Sequence, residues 1–236
     1  MNQTDQPFDV VVIGAGQAGL ASGWHLKRQG LSFLILDEQR QPGGNWRNYY
    51  DSLELFSPAA YSSLPGMPFP AAPGHYPTRD EVVRYLKEYA EFFQLPIRQG
   101  VQATRVDQVN EGFRITAATG QHFLTRALVV ASGAFSRPYT PDIPGLESFN
   151  GTQLHSAEYR HSEPFRANRV VVVGAANSAV QIAYDLAKVA SVTLATREAI
   201  RFAPQRILGG GFSYLVEMDR SGKNPLAERP KYTGTG

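Results

Sequence analysis

Two short stretches of this chain have the residue types and spacing to bind phosphate. The first, VVIGAGQAGL at 11–20, places Gly14, Gly16 and Gly19 in the pattern GxGxxG directly after an apolar run. A glycine at the first position permits a tight turn, and one at the second lets backbone approach a pyrophosphate. The third lets a helix pack closely on the strand, with its N-terminal amides facing the anion. Asp37, at the end of the next apolar run, can accept hydrogen bonds from a ribose diol. The second stretch, VVVGAANSAV at 171–180, repeats the frame but softens it, with alanine at 176 and 179. Asn177 and Ser178 add side-chain donors there. With the two stretches superposed at an offset of 160 positions and no gap, Arg197 falls opposite Asp37. Arginine pairs with a ribose 2′-phosphate that a carboxylate would repel, while the adjacent Glu198 could still hold the ribose of NADH. Two copies imply two dinucleotides, and one acidic plus one basic ending point to hydride transfer between NADPH and a flavin.

The elements that must position these residues can be read around them. Val10–Ile13 is a buried strand, Gln17–Gln29 a helix stopped at Gly30, and Ser32–Leu36 the next strand, which makes a βαβ unit. Thr78-Arg79-Asp80-Glu81 is a capping box, and Val82, Leu86, Tyr89 and Phe93 continue it as a helix over 79–93. VQATRVDQV, FRITAA and HFLTRA alternate as a small antiparallel meander, and ALVVA at 127–131 returns to the buried sheet. Residues 134–168, with several prolines and few apolar runs, form a connection. A second βαβ unit runs from Val170–Val173 to Val192–Ala195, and the pattern decays after Arg197. The expected fold class is therefore α/β: two dinucleotide-binding, Rossmann-like domains with parallel sheets, a small antiparallel meander, and an incomplete second domain. The boundaries read as 1–147, a linker at 148–168, and 169–236.

Composition narrows the function classes. Of 236 residues, 42% are hydrophobic and 19% charged, with a net charge of +2, so no strong field exists for nucleic acid or an anionic membrane. Cysteine is absent, which removes thiolate metal sites and CxxC relays from this stretch. The polar N-terminus does not read as a signal peptide and no apolar run approaches a membrane span, so a cytoplasmic location is expected. His25, His75, His122, His155 and His161 lack metal-type spacing, and all but His155 read as surface or packing residues. Tyr49, Tyr50, Phe56, Tyr61 and Phe69 suit a substrate pocket beside Trp46 or a core beneath a long loop equally well.

Further motifs follow in a telling order: QPGGNW at 41–46, ASG at 131–133 ahead of PYTPDIPG, and FNGTQLHSAEY at 149–159. Together they resemble the class B flavin-dependent monooxygenases, the group of flavin-containing monooxygenases, N-hydroxylases and Baeyer–Villiger enzymes. Phe149, Gly151, His155, Ser156 and Tyr159 match that family's fingerprint FxGxxxHSxxY, and the resemblance covers about residues 8–208. It implies FAD at Gly14, Gly16, Gln17, Gly19 and Asp37, with Gly44, Asn45 and Trp46 on the flavin side and Ala131, Ser132 and Gly133 as a crossing segment. NADP(H) would lie at Gly174, Asn177, Ser178 and Arg197. Ser57 stands where many members carry a flavin-side asparagine. The fingerprint implies a hinge between domains, so His155 reads as a linker hydrogen-bonding residue ahead of a general base. Baeyer–Villiger members usually end the fingerprint in Trp followed by Pro or Asp. Here Tyr159 precedes Arg160, closer to the heteroatom-oxygenating branch.

The implied reaction is NADPH-driven reduction of FAD, then oxygenation of a soft nucleophile (sulfur, nitrogen or a ketone) through a flavin hydroperoxide. Such chemistry needs a dry site more than protein acids and bases. The partners implied are a small-molecule substrate and dioxygen. Two other readings stand beside it: a reductase passing electrons to a non-oxygen acceptor, and a non-catalytic nucleotide-binding protein. Members of this family continue well past the 39 residues that follow Arg197 here. The expectation is a two-stranded second sheet with an open edge and an exposed apolar face, which a second copy of the chain could cover.

Overall fold

A computed structural model of the chain describes residues 7–135, 137–197, 206–207 and 210–211. The first βαβ unit forms as its periodicity predicts, with β1 at Phe8–Ile13, α1 at Gln17–Arg28 and β2 at Phe33–Asp37. Gln29 caps α1 and Gly30 turns the chain with φ +68°, a left-handed value that suits glycine. The helix α2 spans Arg79–Phe92 with the expected capping box, Thr78 and Glu81 each bonding the other's backbone N–H. His75 Nε2 lies 2.9 Å from Glu81 Oε2 at the same corner.

The main sheet has six strands in the order β3-β2-β1-β6-β5-β4, where β3 is Ile97–Gln99, β4 Ala103–Val109, β5 Gly112–Ala117 and β6 His122–Val130. Strands β3, β2, β1 and β6 run parallel, and β4, β5 and β6 antiparallel. Two expectations are corrected here. HFLTRA and ALVVA are not separate strands. Residues 122–125 of β6 close the meander against β5, and Thr125–Val130 continue alongside β1. The short β3 was not foreseen, because Arg98 and Gln99 give it no apolar signature; the β2 edge holds it instead. Buried Leu20, Ile35, Leu86 and Tyr89 pack α1 and α2 on one face of the sheet, while Ile115 and Phe123 fill the other.

The second unit consists of β7 at Arg169–Val173, α3 at Asn177–Leu186 and β8 at Ser191–Ala195. Among the described residues β7 and β8 pair only with each other. Ile182 and Leu186 of α3 pack on Val170 and Val172, and the opposite face leaves Val171 63% and Val173 64% exposed, the apolar face expected from the sequence. Among the described residues the connection at 134–168 carries two short 3-10 turns, at Leu146–Ser148 and Glu163–Phe165. Beyond Arg197 the description is confined to a two-rung ladder between Arg206–Ile207 and Gly210–Gly211, so Glu198 and most of the tail lie outside the described residues.

Candidate functional site

Two segments converge on the first glycine turn. Gly14 leaves β1 with φ +105°, and a Cβ there would lie 2.3 Å from the Ala131 carbonyl oxygen, so the crossing segment Ala131-Ser132-Gly133 passes directly over the turn. Ala131 N–H donates to the Ile13 carbonyl at 2.8 Å, fixing that crossing at the end of β6. From the other side comes QPGGNW. Gly43 N–H donates to the Ala15 carbonyl at 3.2 Å, and a Cβ on Gly44 would stand 2.9 Å from Gly16 Cα. Gly16 itself faces open space, with no atom within 4 Å of the position a Cβ would take. A phosphate can approach the backbone there without meeting a side chain.

Helix N-termini make the same point by contrast. α2 closes its own first turn with the Thr78 side chain and with Asp80 and Glu81. Neither α1, capped by Gly16, nor α3, capped by Ala176, has a side-chain cap or an acid in its first turn. Their first N–H groups remain available to an outside anion, which is the arrangement a dinucleotide pyrophosphate requires. Gln17, Asn177 and Ser178 all stand exposed at these two openings.

Asp37 is buried and its carboxylate braces the turn. Oδ2 accepts the Ala15 N–H and Oδ1 accepts the Gln39 N–H at 2.7 Å. Burial raises its pKa above the usual carboxylate value, with the two backbone N–H groups pulling the other way. The exposed acid at this edge is its neighbour Glu38, held by the Gln102 amide at 3.3 Å.

Strand register revises the alignment of the two copies. Val10 pairs with Phe33 in the first sheet, but Val170 pairs with Val192 in the second. The path from glycine turn to second strand is thus one residue shorter in the second copy. Thr196 occupies the place of Asp37, and Arg197 occupies that of Glu38. The gapless superposition is corrected in this respect, and it leaves Arg197 at the exposed sheet edge beside the Gly174 turn. There it can meet a 2′-phosphate more readily than it could from the buried Asp37 position.

The remaining candidates are placed as follows. Trp46 is half-buried on the core and stacks edge-on with Tyr49, centroids 5.5 Å apart, while Asn45 accepts from the Asn48 amide at 2.7 Å. Ser57 bonds within its own loop, its hydroxyl 3.1 Å from that of Ser62. His155 Nδ1 accepts the Ala157 N–H at 3.0 Å, a bond within its own segment that puts the proton of the neutral ring on Nε2. The five aromatics split: Tyr50 and Phe69 are core, Tyr49 is half-buried, and Phe56 is 69% and Tyr61 38% exposed.

A polar cluster that sequence reasoning missed ties the segment at 48–51 and the end of the fingerprint to α3. Tyr159 donates its hydroxyl to Asp185 of α3 at 2.7 Å, and Tyr50 donates to Gln181 Oε1 at 3.1 Å. Arg160 Nη1 donates to the Asn48 carbonyl, and Asp51 N–H donates to the Arg160 carbonyl at 2.8 Å. The signal was present in part: Ser178, Gln181, Ile182 and Asp185 share one helical face. Nothing in their types marked that face as an interface.

Known proteins resemble this chain in sequence and in fold. A family described as pyridine nucleotide-disulphide oxidoreductase matches residues 11–207. A curated relative in Geobacillus kaustophilus, "Uncharacterized oxidoreductase CzcO-like", is 40% identical over 201 residues, 85% of this chain and 58% of the relative. The flavin-containing monooxygenase from Stenotrophomonas maltophilia superposes with TM-score 0.83 at 42% identity, covering 90% of this chain and 63% of that one. S-allyl-L-cysteine S-oxygenase from Allium sativum superposes with TM-score 0.73 at 27% identity, covering 87% and 54%. The resemblance to flavin-dependent monooxygenases is borne out, and the chain spans between about half and two thirds of the length of these proteins.

Proposed function

This chain belongs to the pyridine nucleotide-disulphide oxidoreductase family, and from that premise we propose that it forms the two-nucleotide portion of an FAD- and NADPH-dependent monooxygenase. The observation that carries the reading is the convergence of Gly14–Gly16, Gly44 and Ala131 on one open turn ahead of an uncapped helix. Those residues fit an FAD pyrophosphate: Gly16 leaves room for it and the first N–H groups of α1 supply donors, while those of Gly14 and Ala15 are held by the Leu36 carbonyl and the Asp37 carboxylate. Asp37 holds the Ala15 amide and so shapes the turn, while Glu38 presents the exposed carboxylate for a ribose. Trp46 and the Ala131–Gly133 crossing flank the approach. At the second turn, the N–H groups of α3 with Asn177, Ser178 and Arg197 suit NADPH, and NADH would lack the 2′-phosphate that Arg197 meets.

FAD, when bound, supplies the two-electron chemistry that takes hydride from NADPH and transfers one atom of dioxygen to the substrate while the other leaves as water. The substrate class is a small soft nucleophile, with sulfur or nitrogen ahead of a ketone. The name of the Allium S-oxygenase and the Tyr159-Arg160 ending of the fingerprint both support that order. None of the 236 residues is cysteine, so this stretch has no redox disulfide of its own to reduce. A division into a flavin unit at 1–147, a linker at 148–168 and a nucleotide unit at 169–236, in a cytoplasmic protein, completes the proposal. Among the described residues no helix is long and apolar enough to cross a membrane.

The test is a visible spectrum of the purified chain with FAD, then with NADPH under nitrogen, then oxygen uptake with a thioether. A bound flavin that bleaches and then consumes oxygen in step with substrate supports the reading. Bleaching without substrate-linked oxygen uptake would assign a reductase instead, and a protein that takes up no FAD would leave nucleotide binding at most.

A further inference from the structure

Segment 44–54 runs from the first glycine turn to α3, the helix that follows the second. It begins with Gly44 against Gly16, on the flavin side. It ends at Glu54, which meets Gln181 of α3 through both backbone polar groups. Gln181 Nε2 donates to the Glu54 carbonyl at 2.9 Å, and Gln181 Oε1 accepts the Glu54 N–H at 3.4 Å. The side-chain amide thus pairs with a peptide unit much as a neighbouring strand would. Only a glutamine or asparagine side chain presents donor and acceptor in that way, and asparagine is one methylene shorter. Oε1 also accepts the Tyr50 hydroxyl at 3.1 Å. Tyr50 is 4% exposed and packs with Ile182 and Leu186, and burial raises its pKa, with the Ser178 hydroxyl pulling the other way.

Gln181 lies one helical turn beyond Asn177 and Ser178, at the opening of the second nucleotide site. A displacement of α3 relative to segment 44–54 would therefore move the pyridine nucleotide relative to the flavin. Hydride transfer is sensitive to such displacement, and about 1 Å of misplacement can cost about a hundredfold in rate.

We propose that Gln181 is a positioning residue: through Tyr50 and Glu54 it locks the pyridine-nucleotide helix to the flavin-side segment, so that hydride donor and flavin meet in one geometry. The proposal rests on the two-nucleotide reading above and adds to it the residue that sets their alignment. Catalytic contact is not required of Gln181, since it acts through the segment.

The experiment compares the full chain with Gln181→Leu, Gln181→Glu and Tyr50→Phe by three readouts: NADP+ affinity by calorimetry, the rate of anaerobic flavin bleaching at saturating NADPH, and amide hydrogen exchange over 45–54 with and without NADP+. The expected result for Gln181→Leu is retained FAD, NADP+ affinity within about twofold, and bleaching slowed about tenfold. In the unmodified chain NADP+ slows exchange over 48–54, and in Gln181→Leu that protection is lost. Gln181→Glu keeps an acceptor for Tyr50 but loses the donor to Glu54, so it falls between the two. Tyr50→Phe slows bleaching about threefold, and the double variant is no slower than Gln181→Leu alone. Unchanged bleaching and unchanged protection in Gln181→Leu overturn the proposal, as does a parallel fall of affinity and rate, which would mark simple loss of packing. If Gln181→Leu does not fold, Gln181→Glu and Tyr50→Phe decide by the same criteria. A native chain that binds no NADP+ takes down the functional reading and this inference together. A native chain that binds and bleaches while its variants match it takes down the inference alone.

Discussion

A methyl group on Gly19 would stand 1.8 Å from the carbonyl oxygen of Gly14, so α1 rests on its own turn with no room for a side chain. The second copy is looser. A Cβ on Gly174 would lie 3.5 Å from the Ala179 methyl, an ordinary contact. The softening of the repeat is thus a packing difference: α1 has no room for a side chain at Gly19, while α3 accommodates the Ala179 methyl at the matching position.

Gly19→Ala is therefore expected to lower stability by about 1–3 kcal/mol through overpacking, and to lose FAD with the displaced turn. Ala179→Gly is expected to cost about 0.5–1 kcal/mol, the helix penalty alone, and to keep nucleotide binding. Thermal unfolding of the two variants, with flavin absorbance measured after gel filtration, checks both. Equal flavin retention in the two variants would refute the asymmetry.

Arg197 stands at the sheet edge in the position of Glu38, exposed and beyond the end of β8. Arg197→Ala should weaken NADPH binding about tenfold to a hundredfold, as loss of a charge-assisted pair predicts, and spare NADH. Calorimetric titration with both nucleotides tests this, and equal losses would remove the 2′-phosphate role.

Much of this was legible beforehand, for identifiable reasons. The glycine turns, β1, α1, α2 and the capping box depend on local rules of turn, cap and periodicity, which sequence carries directly. What escaped depends on distant partners. The residues of β3 acquire their conformation from the edge of β2, and β6 is continuous because one half is held by β5 and the other by β1. Asp37 turned out to brace a loop because its environment is buried, which spacing cannot reveal. The one-residue difference between the copies was invisible because Leu34 and Leu194 match by type, and only the pairing registers separate them.

The corner formed by His75, Thr78 and Glu81 sets an acid limit. The His75 side chain, then the Thr78 N–H, pull the Glu81 carboxyl from 4.5 down to about 2. Because the folded value lies below the unfolded one, the stabilisation is complete above about pH 4.5 and is lost as pH falls toward 2. Glu81→Gln should flatten that limb of the stability curve and lower stability at neutral pH by about 1 kcal/mol through the weakened cap. Thermal melts taken across pH 2–7 decide it; a variant curve parallel to the native one would rule the corner out.

Tyr159 ties the fingerprint segment to α3, and its removal should separate packing from alignment. Its hydroxyl is buried and donates to Asp185, so burial first and the carboxylate second raise its pKa and keep it protonated as a donor. Burial pushes the Asp185 carboxyl up, but the bonds from Tyr159 and Lys188 outweigh it and hold the pKa below the usual value. Tyr159→Phe keeps the ring contacts with Tyr50 and Phe165 and leaves Asp185 with Lys188 at 3.2 Å. Loss of one hydrogen bond to a charged group should cost about 1.5–3 kcal/mol of stability at neutral pH. With the bond gone, the folded pKa of Asp185 moves back up. Since the depressed value stabilises the fold above the unfolded pKa and that stabilisation disappears as pH falls through the folded one, the difference between native chain and variant should shrink on acidification. Urea unfolding at neutral and acidic pH measures it, and a gap that widens as pH falls would show that Asp185 is not the carboxylate Tyr159 serves.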